Sequence, residues 1–329
     1  MTTIELYKKL VIIAIILLTG CAHRQPVDLE KMSMVFYGLE SGNNQIDTYA
    51  PYFLVYEAGD LHNRIGQVMA ESDARGKERI FVSVDRPAIY FTERRFTTDK
   101  GEYTNLIYRI HFPETPHSLV PFNLTAGKNV GLITIVTLDS RDRPVLVTAV
   151  HTCGCYRIII PTSYLPEASL PRNWKGEPLD VYGEKIPARL DYHNRQNPKL
   201  LVYLRPEVHR VMNIEIIDDR DPSETPAFSF IGSQFIDIDN LRFLPYNGGT
   251  ASFYHDSGFL RGHVKGAVKP WETLLLGLIS LDFYVGTDKI YGDSEETGNI
   301  FYTSLKPWYR KASDMWDFAG FLKFWGWNL

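Results

Sequence analysis

The sequence predicts an α+β protein that is mainly β: an antiparallel sandwich or open barrel with a Trp-rich helical carboxyl end. Three observations predict it. Short runs of β-branched and aromatic residues recur through the middle of the chain, as strands require. Helical periodicity is scarce before about residue 258. Five of the six tryptophans then lie at or beyond Trp271. A chain of 329 residues is long enough to bury one large core or two smaller ones.

The strand candidates begin with "YFLVY" from Tyr52 and "RIFVSV" from Arg79. "TERRFTTDKGEYTN", Thr92 to Asn105, is mixed in sign and reads as a charged hairpin rather than a phosphate patch. "LIYRIHF" alternates, with Leu106, Tyr108, Ile110 and Phe112 on one face and Ile107, Arg109 and His111 on the other. "VGLITIVTL" and "PVLVTAVHT" flank "DSRDR", polar turn residues between two β-branched runs, which predicts a hairpin. "RIIIP", "KLLVYL" from Lys199 and "MNIEII" from Met212 complete the set. Glu167 to Pro187 is a long excursion punctuated by proline and glycine.

Two helices are expected after residue 258. "PWETLLLGLISLDFYVG", Pro270 to Gly286, opens on proline and is apolar nearly all round, which predicts burial. It is too short and too acidic for a membrane span. "SDMWDFAGFLKFWGW" offers Ser313 as N-cap, with Asp314 and Asp317 near the positive helix end. Met315, Phe318, Ala319 and Leu322 form a stripe that Trp316, Phe321, Phe324 and Trp325 widen. That stripe fits a helix closing the sheet. It also fits an aromatic patch meeting a membrane or an envelope protein partner, through Trp316 or Trp325.

The amino end carries a targeting signal. Lys8 and Lys9 precede the apolar run Leu10 to Leu18, and Thr19, Gly20 and Cys21 follow. A basic start, a short apolar run and small residues make a secretory signal, and the run is well short of a spanning helix. "LTGC", Leu18 to Cys21, resembles the lipobox of bacterial lipoproteins. The resemblance covers only these first residues. It implies cleavage before Cys21 and acyl chains, palmitate among them, on that cysteine. Several acyl chains make such an anchor effectively permanent. Ala22 in place of aspartate implies the outer membrane, with the body facing the periplasm. The expected organisation is a signal peptide over 1–20, a lipidated amino end and tether over 21–41, a mainly β domain over 42–257 and a helical segment over 258–329.

The remaining cysteines stand together in "HTCGC". On an extended strand His151, Cys153 and Cys155 share a face with Ala149, Val147 and Val145, so they extend an apolar stripe. Three readings fit. The trio binds zinc or copper, with His111 as a candidate fourth ligand. Or Cys153 and Cys155 form a disulfide, favoured by an oxidising compartment, with Gly154 supplying the bend. Or two thiols fill core space.

Other chemistry is thinner. Asp237, Asp239 and Asn240 in "IDIDN" lack the EF-hand pattern and read as an exposed turn. "DDRD", Asp218 to Asp221, reads as a solvated loop. "GSQF" is no nucleophile elbow, and no glycine run matches a phosphate-binding fingerprint. His193, His209, His255 and His263 are scattered and read as surface or satisfied core residues. A net charge of −4 without a basic face argues against nucleic acid. The leading expectation is a lipid-anchored binding or assembly component. Its alternatives are a metal- or redox-linked protein using the trio and a hydrolase whose site converges only in the fold.

Overall fold

The computed structural model describes residues 32–39, 44–119, 123–181, 183–193, 195–218 and 229–329. The signal, Cys21 and most of the tether lie outside these residues, as does "DDRD" beyond Asp218. The body is mainly β, and among the described residues no sheet closes into a barrel. Its two large sheets use eleven strands: β1 (Met34–Gly38), β2 (Tyr52–Tyr56), β3 (Ala88–Thr98), β4 (Gly101–His111), β5 (Gly131–Leu138), β6 (Pro144–His151), β7 (Ile158–Pro161), β8 (Pro198–Leu204), β9 (Val211–Asp218), β10 (Ser229–Gly232) and β11 (Gln234–Asp237). The five-stranded sheet runs β9-β8-β2-β1-β10 and the six-stranded sheet β7-β6-β5-β4-β3-β11.

The sheets pack face to face over one core. Phe53, Val55, Val202 and Ile214 from the first meet Ile89, Leu106, Val136, Val147 and Ile160 from the second, and all are buried. The alternation read in "LIYRIHF" therefore has a different meaning from a wet-and-dry strand. Leu106, Tyr108 and Ile110 face this core, while Ile107 faces a second one, so both faces are buried. Both hairpins form, β3 against β4 and β5 against β6. Three pairings are parallel: β1 with β10, β8 with β2 and β11 with β3. Ser233 alone separates β10 from β11, and its N–H donates to the Gly38 carbonyl at 2.8 Å. One continuous run thus leaves the first sheet and joins the edge of the second, a corner that ties the sandwich together.

Three expectations need correction. The tether does not reach residue 41, because "MVFYG" pairs on both sides as β1. Five residues were too few to show a period. The closing helix, α2 (Phe318–Phe324), is capped by Asp317 and not Ser313: the Asp317 carboxylate accepts from the Gly320 N–H at 3.1 Å. Ser313 instead uses its hydroxyl on the chain that returns past it, accepting from Ser304 N–H at 3.1 Å. The expectation that α2 closes the sheet holds. Met315, Phe318, Phe321 and Leu322 are buried against Ile107, Ile133, Ile135 and Val145. The third correction concerns α1 (Pro270–Ser280). Its buried residues are Glu272, Gly277 and Ser280, while Leu274, Leu278 and Ile279 face outward.

Candidate functional site

The "HTCGC" stretch does not continue the strand as expected. β6 ends at His151. The His151 N–H then donates to the Cys155 carbonyl at 3.0 Å, and the Gly154 N–H returns to the His151 carbonyl at 2.7 Å. Gly154 has φ of +91°, a conformation open to glycine at little cost. This turn brings the two cysteine Cα atoms to 5.6 Å, and the sulfurs are bonded. A flat strand holds alternate residues too far apart for that. Of the three readings, the disulfide is therefore the one present.

Gly154 is fixed for a second reason. A Cβ there runs into the Tyr302 carbonyl oxygen, part of the carboxyl segment that crosses the turn. Gly154→Ala is expected to cost roughly 2–4 kcal/mol, from left-handed strain plus a backbone clash. Urea midpoints of the oxidised proteins check this, and an unchanged midpoint would show that the turn is not clamped.

Beneath the turn lies a buried network that links the sheet to the carboxyl segment. Lys269 and Asp288 form an ion pair at 3.0 Å with both side chains enclosed. Asp288 Oδ2 accepts from the Gly131 N–H at 3.0 Å and from the Thr152 hydroxyl. Lys289 Nζ donates to the Cys153 carbonyl at 3.0 Å and the Thr287 carbonyl at 3.2 Å. Its own carbonyl accepts from Arg109 Nη1 at 3.2 Å. Burial pulls the Lys289 pKa down to about 8, against the pull of Asp282 and Asp288. Burial also opposes the charge on Lys269, but Asp288 and Glu272 outweigh it and hold its pKa above the ordinary value.

Glu272 is the least satisfied member. Burial pushes its carboxyl pKa up, with Lys269 pulling the other way. Its Oε2 accepts no hydrogen bond from the described residues. The carboxyl lies against Gly286, whose missing side chain leaves it room.

The disulfide turn and Glu272 line a cleft of about 550 Å³. Leu124, Leu276, Val285 and Leu305 supply apolar walls, and Tyr156, Tyr302 and Trp325 supply aromatic ones. The Arg157 guanidinium lies over the Trp325 ring, 3.1 Å from its centroid. Cys153 is buried, whereas Cys155 is half-buried.

His151 stays close to the cysteines. One ligand atom from each of His151, Cys153 and Cys155 falls within a 4.8 Å group. His151 Nε2 donates to the His209 carbonyl at 3.2 Å, which leaves Nδ1 with the lone pair. Burial, followed by the field of Lys269, holds its pKa well below the imidazole range. His111 is not brought to the trio. Its Nε2 accepts from Arg109 Nε at 2.8 Å, and its ring packs on Phe253. Asp237 caps a short turn by accepting from the Asp239 N–H at 2.8 Å, so "IDIDN" is the turn expected. The scattered histidines divide: His209 and His263 are buried, while His193 and His255 are more open.

Lys269, Glu272, Asp288 and Lys289 escaped sequence reading. None of them belongs to a motif, and the partners lie up to 180 residues away. Comparison with protein-family models, with curated proteins and with solved structures gives no match.

Proposed function

We propose that this chain is a lipid-anchored envelope protein, held through Cys21 at the outer membrane and facing the periplasm, that binds a small amphiphilic molecule. Its site is the cleft against the Cys153–Cys155 turn. One observation carries the reading. A cleft walled mainly by apolar and aromatic side chains, with Arg157, Asp180, Thr125, Thr303 and Ser304 also on its lining, contains the enclosed Glu272 carboxyl, whose Oε2 has no hydrogen-bond partner among the described residues. Pockets that hold small molecules combine such a lining with a few placed polar groups. An unpaired polar atom in an enclosed site costs stability unless something bonds to it. An apolar body with a hydroxyl or amine head satisfies both parts of the cleft. The disulfide keeps one wall rigid, which reduces the ordering cost of binding.

The test uses the protein extracted from envelopes in mild detergent and examined by native mass spectrometry. An adduct released by organic solvent is expected on the wild type. Val285→Trp, which fills the cleft, is expected to lose it, and Glu272→Gln to weaken it by tenfold or more. An adduct unaffected by Val285→Trp would place the ligand elsewhere and end this reading. The anchor has its own test. Cys21→Ser is expected to abolish acylation and shift the chain out of the membrane fraction. A variant that stays equally attached, with identical processing, would refute the anchor.

A second reading rests on the His151, Cys153 and Cys155 group. Two-electron reduction of the disulfide by a dithiol yields two thiols beside the His151 imidazole, a donor set suited to zinc or copper. The reduced protein is expected to take up one zinc ion and the oxidised protein none. Equal uptake by reduced wild type and His151→Ala would remove His151 as a ligand.

A further inference from the structure

We propose that α1 and the adjoining segment 305–311 form a second membrane contact, a face that lies in the anionic headgroup layer of a bilayer. The choice of occupant rests on the lipid-anchor reading above. The argument begins with the inversion of α1. Buried helices in a globular body turn apolar residues inward. Here Glu272, Gly277 and Ser280 point in, while Leu274, Leu278, Ile279, Leu281 and Phe283 are 65 to 76% exposed.

The orientation is fixed from inside. Glu272 reaches the Lys269 and Asp288 network. Gly277 lies against the backbone of Asp282 and Phe283, where a Cβ has only 3.3 Å to the nearest atom. A rotation that buried the leucines would expose these groups and separate Glu272 from Lys269. The apolar face is therefore a fixed feature of the surface, and contiguous exposed apolar residues of this kind mark interaction sites.

Its rim identifies a lipid surface. Arg310 donates to the Ser280 carbonyl and pairs with Asp282 at 3.9 Å, which sets segment 305–311 beside the end of α1. That segment adds exposed Leu305, Trp308 and Tyr309, and the exposed cations Lys306 and Lys311. Glu272, the one acid within α1, is buried, and Asp282 is engaged by Tyr302 and Arg310. An apolar face edged by Trp, Tyr and Lys or Arg matches a helix lying in the membrane interface. With eleven residues, α1 lies on the bilayer, and no described helix is long and apolar enough to cross it. The anchor keeps the body within reach. The eleven steps from Cys21 to Met32 span at most about 40 Å when extended. Leu276 and Leu305 also line the cleft, so docking sets the cleft beside the lipid.

The test uses the full mature, acylated chain on vesicles of phosphatidylethanolamine and phosphatidylglycerol, with brominated acyl chains as quencher. Flotation reads attachment, fluorescence reads Trp308 and hydrogen exchange reads 271–285. Quenching is expected in the wild type, to a smaller extent in Trp308→Phe, and not in Leu278→Asp/Ile279→Asp. Exchange across α1 is expected to slow tenfold or more on vesicles. An unchanged urea midpoint confirms that the double variant, altered only at exposed positions, folds. A chain that floats without quenching or protection overturns the docking face and leaves the anchor standing. A chain that does not float overturns both. Protection without vesicles that rises with protein concentration assigns the face to a second copy and overturns the proposal.

Discussion

Asp288→Ala is expected to destabilise the protein by roughly 3–5 kcal/mol, because removing one partner leaves a buried charge uncompensated. Lys269 is enclosed and paired with Asp288 at 3.0 Å. Without that carboxylate its remaining carboxyl neighbour is Glu272, which burial holds toward the neutral form. The Gly131 N–H loses its acceptor in the same step, and the Thr152 hydroxyl is left with the Gly131 carbonyl alone, at 3.1 Å. The loss is comparable to the whole stability of many domains, so the variant should populate unfolded chain near physiological temperature. Urea midpoints measure it. Lys269→Met/Asp288→Leu should cost clearly less than the two single changes added together, since it removes the pair rather than orphaning one member. A loss below about 1 kcal/mol for Asp288→Ala would show that water reaches Lys269.

That network also marks the limit of what the sequence makes legible. Strands such as "GLITIVTL" declare themselves because β-branched residues recur over eight positions, and the turn "DSRDR" lies between its partners. Those are local signals. The disulfide was legible as one of three outcomes, and Gly154 was the pointer to the bend. What separated the outcomes was the course of the backbone after His151, which depends on the carboxyl segment crossing the turn. "GAVKP" and "GTDKI" look like solvated loops, because an isolated lysine or aspartate is ordinarily at the surface. Their burial follows from pairing across the fold, which no local window records. The inversion of α1 escaped for the opposite reason. An all-round apolar helix ordinarily signals a core, and the inward pull here comes from Glu272 and its buried charged neighbours Lys269 and Asp288, which no apolar period reveals. α2 was legible because its stripe faces the sheet in the ordinary sense.

Acid is expected to unfold the protein through its enclosed histidines, beginning near pH 6.5. Burial is the largest cause for all four. It holds His111 and His151 well below the ordinary imidazole value, with further lowering from Arg109 and Lys269 respectively. It takes His209 down to about 3, with His62 adding to the effect, and His263 to about 4, with Lys289 adding. In the unfolded chain each titrates near 6.5. Below that value the unfolded state binds more protons than the folded state, so stability falls as pH falls, until the folded groups themselves titrate. One unit below 6.5 each group costs about 1.4 kcal/mol, and the four together cost on the order of 5 kcal/mol. Glu272 and Asp314 act in the opposite sense. Their folded pKa values are raised, mainly by burial, so protonation in acid favours the folded form and offsets part of the loss. Urea midpoints between about pH 7.5 and pH 5 check the slope, which should correspond to an uptake of two to four protons on unfolding. His263→Gln should make it shallower by about one proton. A flat profile across this range would mean that the folded histidines accept protons as readily as the unfolded ones. Because Lys269 already depresses His151, a proton on that ring places a second cation beside the same ion pair. The acid-sensitive step and the Asp288→Ala defect therefore converge on one structure, the network that holds the carboxyl segment against the disulfide turn.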